Sequence, residues 1–349
     1  MVAEGNLEKE KVVFVVDLSW LYYRSKFAFN NLTWTVDGVT YGTGTVYGIY
    51  DALMIIMETF GMDVEIILAM DGQPRRNQAV SGAYKSGRES MDTTGLVELS
   101  RWDIAKHFCL LPQVRLAYHK WMEADETMGF IAKMKKPNEK IIIFSGDGDM
   151  RQLIDSTENV FCASEYSKST GYILEDEIHL FNQGIKDLSG LEPGSVALHL
   201  AICGDSSDGV PGISRFLRAV SKEIANKART LDGLKEMVSG VDTMEDGKLK
   251  KGLLRIREEM RMVEDNWSMV NIDPMYIPKY YDLRDFEDVN LEWFDKYGCQ
   301  KIYTDLCALL GVSSNAKEVE GDSVGVAFKG SGGLDNRIFS DGNEFNFEE

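Results

Sequence analysis

Four stretches of the chain are mostly apolar without regular polar alternation, KVVFVVD (11–17), VEIILAMDG (64–72), QVRLAYHK (113–120) and KIIIFSGDGD (140–149), and all but the third end in acid or glycine. Runs of this kind, rich in β-branched residues, predict strands covered on both faces. Between them lie segments of helical period, such as TGTVYGIYDALMIIMETFG (43–61), which closes on Gly61 as helices often do. Strand and helix alternate through about residue 180, which predicts an α/β fold: a mostly parallel sheet flanked by helices. In such sheets ligands collect at the carboxyl ends of the strands.

Two regions break the alternation. Between Gly72 and Gly95 the chain is polar, rich in Gly and Ser, and basic at Arg75, Arg76, Lys85 and Arg88, so it reads as an excursion from the sheet. From Pro193 onward helical periodicity replaces strands, in GSVALHLAICGD (194–205), RFLRAVSKEIANKA (215–228) and KLKKGLLRIREEMRMVEDNW (248–267). The expected domains are therefore residues 1–192, including the excursion 72–95, a helical unit over 193–312, and a tail over 313–349. The tail has few large aliphatics, and composition predicts that it is mostly disordered.

At 349 residues, 44% hydrophobic and 27% charged, the chain can bury one large or two ordinary cores. No apolar run reaches the ~18 residues that span a bilayer, and MVAEGNLEKEK lacks the apolar centre of a secretory signal; a cytoplasmic protein with no membrane partner is expected. The five scattered cysteines predict buried thiols, not a disulfide framework or a structural zinc site. The formal charge of -18 argues by itself against nucleic acid. From Glu318 on, however, the tail carries eight acidic and two basic residues, so a third of that charge lies outside the expected folded body.

Acid is concentrated where strands end or helices open: Asp17; Asp71; EADE with Glu123, Asp125 and Glu126; and GDGD with Asp147 and Asp149. GDSSDG adds Asp205 and Asp208. Each of these, alone, is more often a helix cap than a ligand. Five segments that follow one pattern imply a site, and carboxylates gathered in one place need bound cations to stay ionised. Ligands that are all oxygen favour Mg²⁺ or Mn²⁺, and two such ions about 4 Å apart suit phosphodiester cleavage. The four histidines show no ligand arrangement, and His107 and His199 sit in apolar helical stretches where packing explains them.

In order, VVDLSW, AMDG, AYKSGR, MEADE, FSGDGDMRQL and ICGDSSDGVPGIS resemble the 5'-nuclease superfamily of flap endonucleases and 5'-3' exonucleases, most of all bacteriophage flap endonuclease and phage RNase H. The resemblance covers about residues 11–310. It implies a PIN-like core with a helix-three-turn-helix DNA-binding domain. Asp17, Asp71, Glu123, Asp125, Glu126, Asp147 and Asp149 would form the metal site, with Asp205 and Asp208 at its outer edge. AYKSGR matches the arch motif, in which Lys85 and Arg88 would contact the scissile phosphate and Tyr84 would stack on a base, with Arg75 and Arg76 as further DNA contacts. GDSSDGVPGIS matches the hairpin that grips duplex DNA, through Gly209, Gly212, Ser214 and Arg215 here. Many relatives hold K⁺ at that hairpin, but this chain has Ser214, Arg215, Phe216 and Leu217 where they continue Gly-Pro-Lys-Thr-Ala, which leaves a K⁺ site in doubt.

The function expected from the resemblance is a Mg²⁺-dependent 5'-nuclease of DNA replication or repair, with Mn²⁺ as a substitute. It would act on 5' flaps, 5' ends or RNA–DNA hybrids. Two alternatives stand beside it: a PIN-like ribonuclease and a catalytically silent DNA-junction binder. The tail's Phe345 and Phe347 offer a docking point for a single-stranded-DNA-binding protein or another replication protein, and the cytoplasm would be that of the host if the gene is a phage's. Basic clusters at Lys133, Lys135 and Lys136 and along 248–261 suit either duplex DNA or a solvated helix face.

Overall fold

The computed structural model describes residues 10–73, 96–164 and 188–313, and the backbone of four two-residue strands between 166 and 187. The excursion's Arg75, Arg76, Tyr84, Lys85 and Arg88 and the tail from 314 lie outside the described residues.

The apolar runs are strands. β1 (Lys11–Asp17), β4 (Glu65–Met70), β6 (Val114–Tyr118), β7 (Glu139–Phe144) and β8 (Val160–Ala163) pair in parallel. The sheet order is β13-β6-β4-β1-β7-β8, with β13 (Lys279–Tyr281) antiparallel on the outer edge of β6. Small strands complete the set: β2 (Thr33–Val36), β3 (Val39–Gly42) and β5 (Val97–Glu98) in one sheet, and β9 (Tyr166–Ser167), β10 (Gly171–Tyr172), β11 (Asn182–Gln183) and β12 (Lys186–Asp187) in two ladders.

Alternate residues of each strand face opposite sides, and both sides are covered, which is why the runs lack polar alternation. Phe14, Val16, Leu68, Ile142 and Phe144 pack on α1 (Leu18–Ala28), α2 (Gly44–Phe60) and α3 (Arg101–Phe108). Val13, Val15, Ile67, Ile141 and Ile143 pack against Ala124, Met128 and Ile131 of α4 (Ala124–Lys133). Full burial of such side chains contributes about 1.5–3 kcal/mol each.

The helical unit has its own core. α5 (Val196–Cys203), α6 (Arg218–Ala228), α7 (Leu231–Ser239), α8 (Lys248–Glu258) and α9 (Met260–Val270) bury Leu198, Ile202, Ile224, Leu234, Leu253, Ile256 and Val263 together. The single helical run read over 248–267 divides at Glu259, whose backbone leaves helical geometry (φ -107, ψ 17).

The helical unit does not extend to 312 as the periodicity predicts. After α9 the chain returns to the sheet through β13. Then α10 (Glu292–Lys296) and α11 (Gln300–Leu310) bury Phe294, Ile302 and Leu306 in the core on the Phe14 side. Helical period alone cannot tell which core a helix will join. The described cysteines are all free thiols. His107 stacks on Trp293 at 4.3 Å, and His199 pairs with Ser221 at 2.9 Å, so both are packed as expected. Among the described residues no helix is long and apolar enough to cross a membrane.

Candidate active site

Because β6, β4, β1 and β7 are parallel neighbours, the acids that follow them meet at one edge of the sheet. Asp17 ends β1 and caps α1: Oδ1 accepts from Trp20 N (3.0 Å) and Oδ2 from Ser145 Oγ (2.9 Å). Asp71 follows β4. Its Oδ1 accepts from Ala124 N (2.8 Å), which ties it to the Glu123 segment, and its Oδ2 accepts from Ser19 Oγ. Glu123 and Glu126 are both buried and form a capping box on α4, with Glu123 N donating to Glu126 Oε2 at 3.1 Å. Asp125 Oδ1 accepts from Glu126 N (2.6 Å).

After β7 the chain turns through Ser145 and Gly146 into a short 3-10 helix, Gly148–Leu153, capped by Asp147. Gly146 is required there, since a Cβ would stand 2.3 Å from the Trp20 indole nitrogen. Ser145 Oγ accepts from Asp147 N (3.1 Å) while donating to Asp17, so one hydroxyl aligns two acids. Arg151 is fully buried behind this turn and donates from Nη1 to Asp147 O (2.7 Å).

The second group spans both units. Asp205 caps a 3-10 turn, Ser206–Asp208, accepting at Oδ1 from Ser207 N (2.9 Å) and Ser207 Oγ (2.6 Å). Carboxylate oxygens of Asp149, Asp205 and Asp208 lie within 4.8 Å of one another. The acids thus form two adjoining groups, joined through the two-residue step from Asp147 to Asp149. Capping and gathering are compatible here: the cap fixes each carboxylate, and the sheet edge brings the caps of Asp17 and Asp147 together.

At the end of β1 burial and neighbouring acid disfavour an ionised carboxylate. Burial, and next the charge of Asp71, push the Asp17 carboxyl up to about 7; the Trp20 amide and Ser145 hydroxyl oppose this, and Asp147 adds to it. Asp149, Asp205 and Asp208 offer only oxygen, the donor set of a hard divalent ion, so these residues fit a metal of the Mg²⁺ or Mn²⁺ type.

The hairpin expected to grip duplex DNA lies on the helical unit. Asp205 N donates to Val210 O (2.9 Å) and Val210 N to Asp205 O (2.7 Å), closing the turn. Gly209 has φ 72. Gly212 packs against the end of α5, where a Cβ would fall 1.9 Å from Cys203 O; internal packing therefore explains this glycine. Replacing Gly212 with Ala should destabilise the chain by about 3 kcal/mol, as overpacking does. A urea melt unchanged from wild type would contradict that.

Ser214 and Arg215 are exposed beyond the hairpin, and Arg215 has φ 55. Arg255 of α8 holds this segment, donating to Ser214 O and, at 3.3 Å, to Arg215 O. Within the run 248–261, Arg257 pairs with Asp242 (3.0 Å) and Lys250 with Asp246 (3.3 Å). Lys133, Lys135 and Lys136 pair with Asp273, Glu158 and Glu139 at 4.0, 3.6 and 3.5 Å. These cations are partly occupied within the protein.

Sequence reading missed four site residues: Ser19, Ser145, Arg101 and Arg151. Ser19 and Ser145 lie within quoted motifs, beside acids, yet nothing local marks a serine as the link between two distant carboxylates. Arg101 Nη1 is 3.4 Å from Asp71 Oδ2, a contact made by the fold across thirty residues.

Known proteins resemble this chain in sequence and in fold. A 5'-3' exonuclease of Buchnera aphidicola from Schizaphis graminum is 27% identical over 212 residues, 60% of this chain and 67% of that protein. A second, from Buchnera aphidicola of Acyrthosiphon pisum, is 25% identical, covering 68% of this chain and 78% of its own length. DNA polymerase I of Synechocystis is 27% identical over 67% of this chain, but the match spans only 24% of that longer protein. Among solved structures, the 5'-exonuclease of T5 with bound zinc has a TM-score of 0.52 at 13% identity, over 86% of this chain and all of the other. At that identity the likeness is one of fold.

Residues 12–179 match the family of the 5'-3' exonuclease N-terminal, resolvase-like domain, and the chain is similar to the 5'-3' exonucleases named above. These curated relatives are bacterial, and the likeness to the T5 structure is one of fold, so a phage source is not shown.

Proposed function

We propose that the chain is a structure-specific 5'-nuclease of DNA replication or repair that hydrolyses phosphodiesters at 5' flaps and 5' ends with Mg²⁺. The observation that carries this reading is the meeting of acids from four parallel strand ends with Asp149, Asp205 and Asp208, across the sheet and the helical unit. The Buchnera relatives are named 5'-3' exonucleases. One T5 flap endonuclease structure is a complex with DNA and metal ions, at 12% identity and a TM-score of 0.51.

Asp17, Asp71, Glu123, Glu126 and Asp147 would hold metal on one side, Asp149, Asp205 and Asp208 on the other, with Asp125 next to the first group. A bound divalent ion supplies a nucleophilic hydroxide near neutral pH and charge neutralisation at the phosphate. The chain's own groups do the rest. Ser19 and Ser145 keep the acids in register, and the hairpin with Gly209, Gly212, Ser214 and Arg215 offers its backbone to duplex phosphates. The excursion leaves the sheet beside Asp71, where Gly72 N donates to Met122 O at 2.7 Å. Lys85 and Arg88 of the excursion would contact the scissile phosphate, Tyr84 would stack on a base, and Arg75 and Arg76 would add contacts to DNA.

A labelled 5' flap and a matched single-stranded RNA, each incubated with the protein in Mg²⁺ or EDTA, test the reading. Metal-dependent cutting near the flap junction is expected. Cutting of RNA alone would indicate a ribonuclease, and tight binding without product a silent junction binder. Lys85→Ala should slow single-turnover cleavage by about 10²-fold, more than it weakens binding, since a cation over the phosphate meets charge that grows in the transition state. An unchanged rate would remove Lys85 from the site.

A further inference from the structure

Arg101 is the first residue of α3, directly after its cap, Ser100. A cation at a helix N-terminus is electrostatically unfavourable, so the helix itself gives no reason for this arginine. The acid edge does. The guanidinium reaches back to Ser19, donating to its hydroxyl, and Nη1 stands 3.4 Å from Asp71 Oδ2, the oxygen that Ser19 also contacts. Its carbon lies 5.9 Å from the centre of the Tyr23 ring, and about a third of the side chain, 34%, remains exposed. A partly exposed guanidinium beside a carboxylate of the proposed metal site competes with any cation for that oxygen, and it is shaped to pair with a phosphate instead.

We propose that Arg101 exchanges partners: it is the counter-ion of Asp71 while the site lacks metal, and it contacts a backbone phosphate of the nucleic acid once a divalent ion takes Asp71. The proposal rests on the 5'-nuclease reading. It joins metal loading to substrate capture, because the ion that completes the site also frees the cation that holds the strand. Released from Asp71, Arg101 adds positive charge at the mouth of the site, in a chain whose net charge is -18. Its neighbours permit the exchange, since Ser19 can still donate to Asp71 when the guanidinium has left.

The test is Arg101→Gln and Arg101→Lys in the full chain, with three readouts. Without nucleic acid, Mn²⁺ titrated by calorimetry should bind Arg101→Gln about three- to fivefold more tightly than wild type, the size of a surface ion pair removed from competition. With Ca²⁺, affinity for a 5' flap should fall about tenfold and the salt dependence of binding should lose about one phosphate contact. Arg101→Lys, which keeps charge without the fork, should lie between wild type and Arg101→Gln in both. Circular dichroism spectra and melts matching wild type show that the variants fold. Mn²⁺ binding that weakens or stays the same, or a flap affinity and salt slope that do not change, overturns the exchange. If wild-type protein failed to cut the flap with Mg²⁺, the parent reading would fail instead, a result these two binding measurements cannot mimic.

Discussion

Asp17→Asn should reduce single-turnover flap cleavage by at least about 10³-fold, as expected for loss of a metal-holding charge, and yet make the metal-free protein more stable at pH 8. The second effect follows from burial. Asp17 lies at the end of the central strand with Asp71 and Asp147 nearby, and its carboxyl is pushed from 3.8 up to about 7. A folded-state value above the unfolded one means that its stabilising proton is fully held below about pH 4 and is lost as pH rises through about 7. At pH 8 the folded protein must keep a buried, repelled carboxylate ionised, at a cost of up to about 4 kcal/mol. Asn has a similar shape, can cap α1 as well, and has no charge.

Thermal melts in EDTA should therefore show Asp17→Asn above wild type at pH 8, with the gap closing towards pH 4. Added Mn²⁺ should reverse the order, because it stabilises the protein that retains the acid. A variant less stable than wild type at pH 8 in EDTA would show that Asp17 is not an electrostatic burden in the fold.

Asp149→Asn should likewise lower cleavage by about 10³-fold or more while flap binding in Ca²⁺ stays nearly intact. The reason differs. Asp149 lies on the 3-10 helix after β7, and its partners Asp205 and Asp208 belong to the helical unit. The change removes one oxygen charge from a trio that joins the two units, leaving the hairpin and its backbone untouched. Asp149 N still donates to Asp147 Oδ1 at 3.1 Å whatever the side chain, so the turn should keep its shape. A variant with near-normal turnover would remove Asp149 from the metal site; one that lost flap binding as well would mean that the trio holds the helical unit in place.

What the sequence made legible is what short-range pattern encodes. Asp17, Asp71 and Asp147 carry their own signal, a buried run that closes on Asp, whereas Glu123, Asp125 and Glu126 show as acid at a helix start; the parallel arrangement that gathers them follows from the apolar runs. The hairpin's acids were visible as GDSSDG. The division of the acids was not, because Asp147 and Asp149 differ by two positions in the chain and only the 3-10 turn sends one to Asp17 and the other to Asp205 and Asp208. Arg101 was hidden because its partner lies thirty residues earlier, beyond the excursion. The return of 279–310 to the sheet was hidden for a related reason: β13 is three residues long, and α10 and α11 carry apolar faces that would suit either core. Arg255, legible as one of a row of cations facing outward, is exposed and also holds the backbone of Ser214 and Arg215.

The central claim is that these carboxylates share divalent ions in one cleft. Anomalous diffraction from crystals of the protein soaked in Mn²⁺ tests it most directly. The account predicts at least one manganese peak bounded by Asp17, Asp71 and Asp147 or by Asp149, Asp205 and Asp208. Saturating Mn²⁺ with no peak at either group would contradict it.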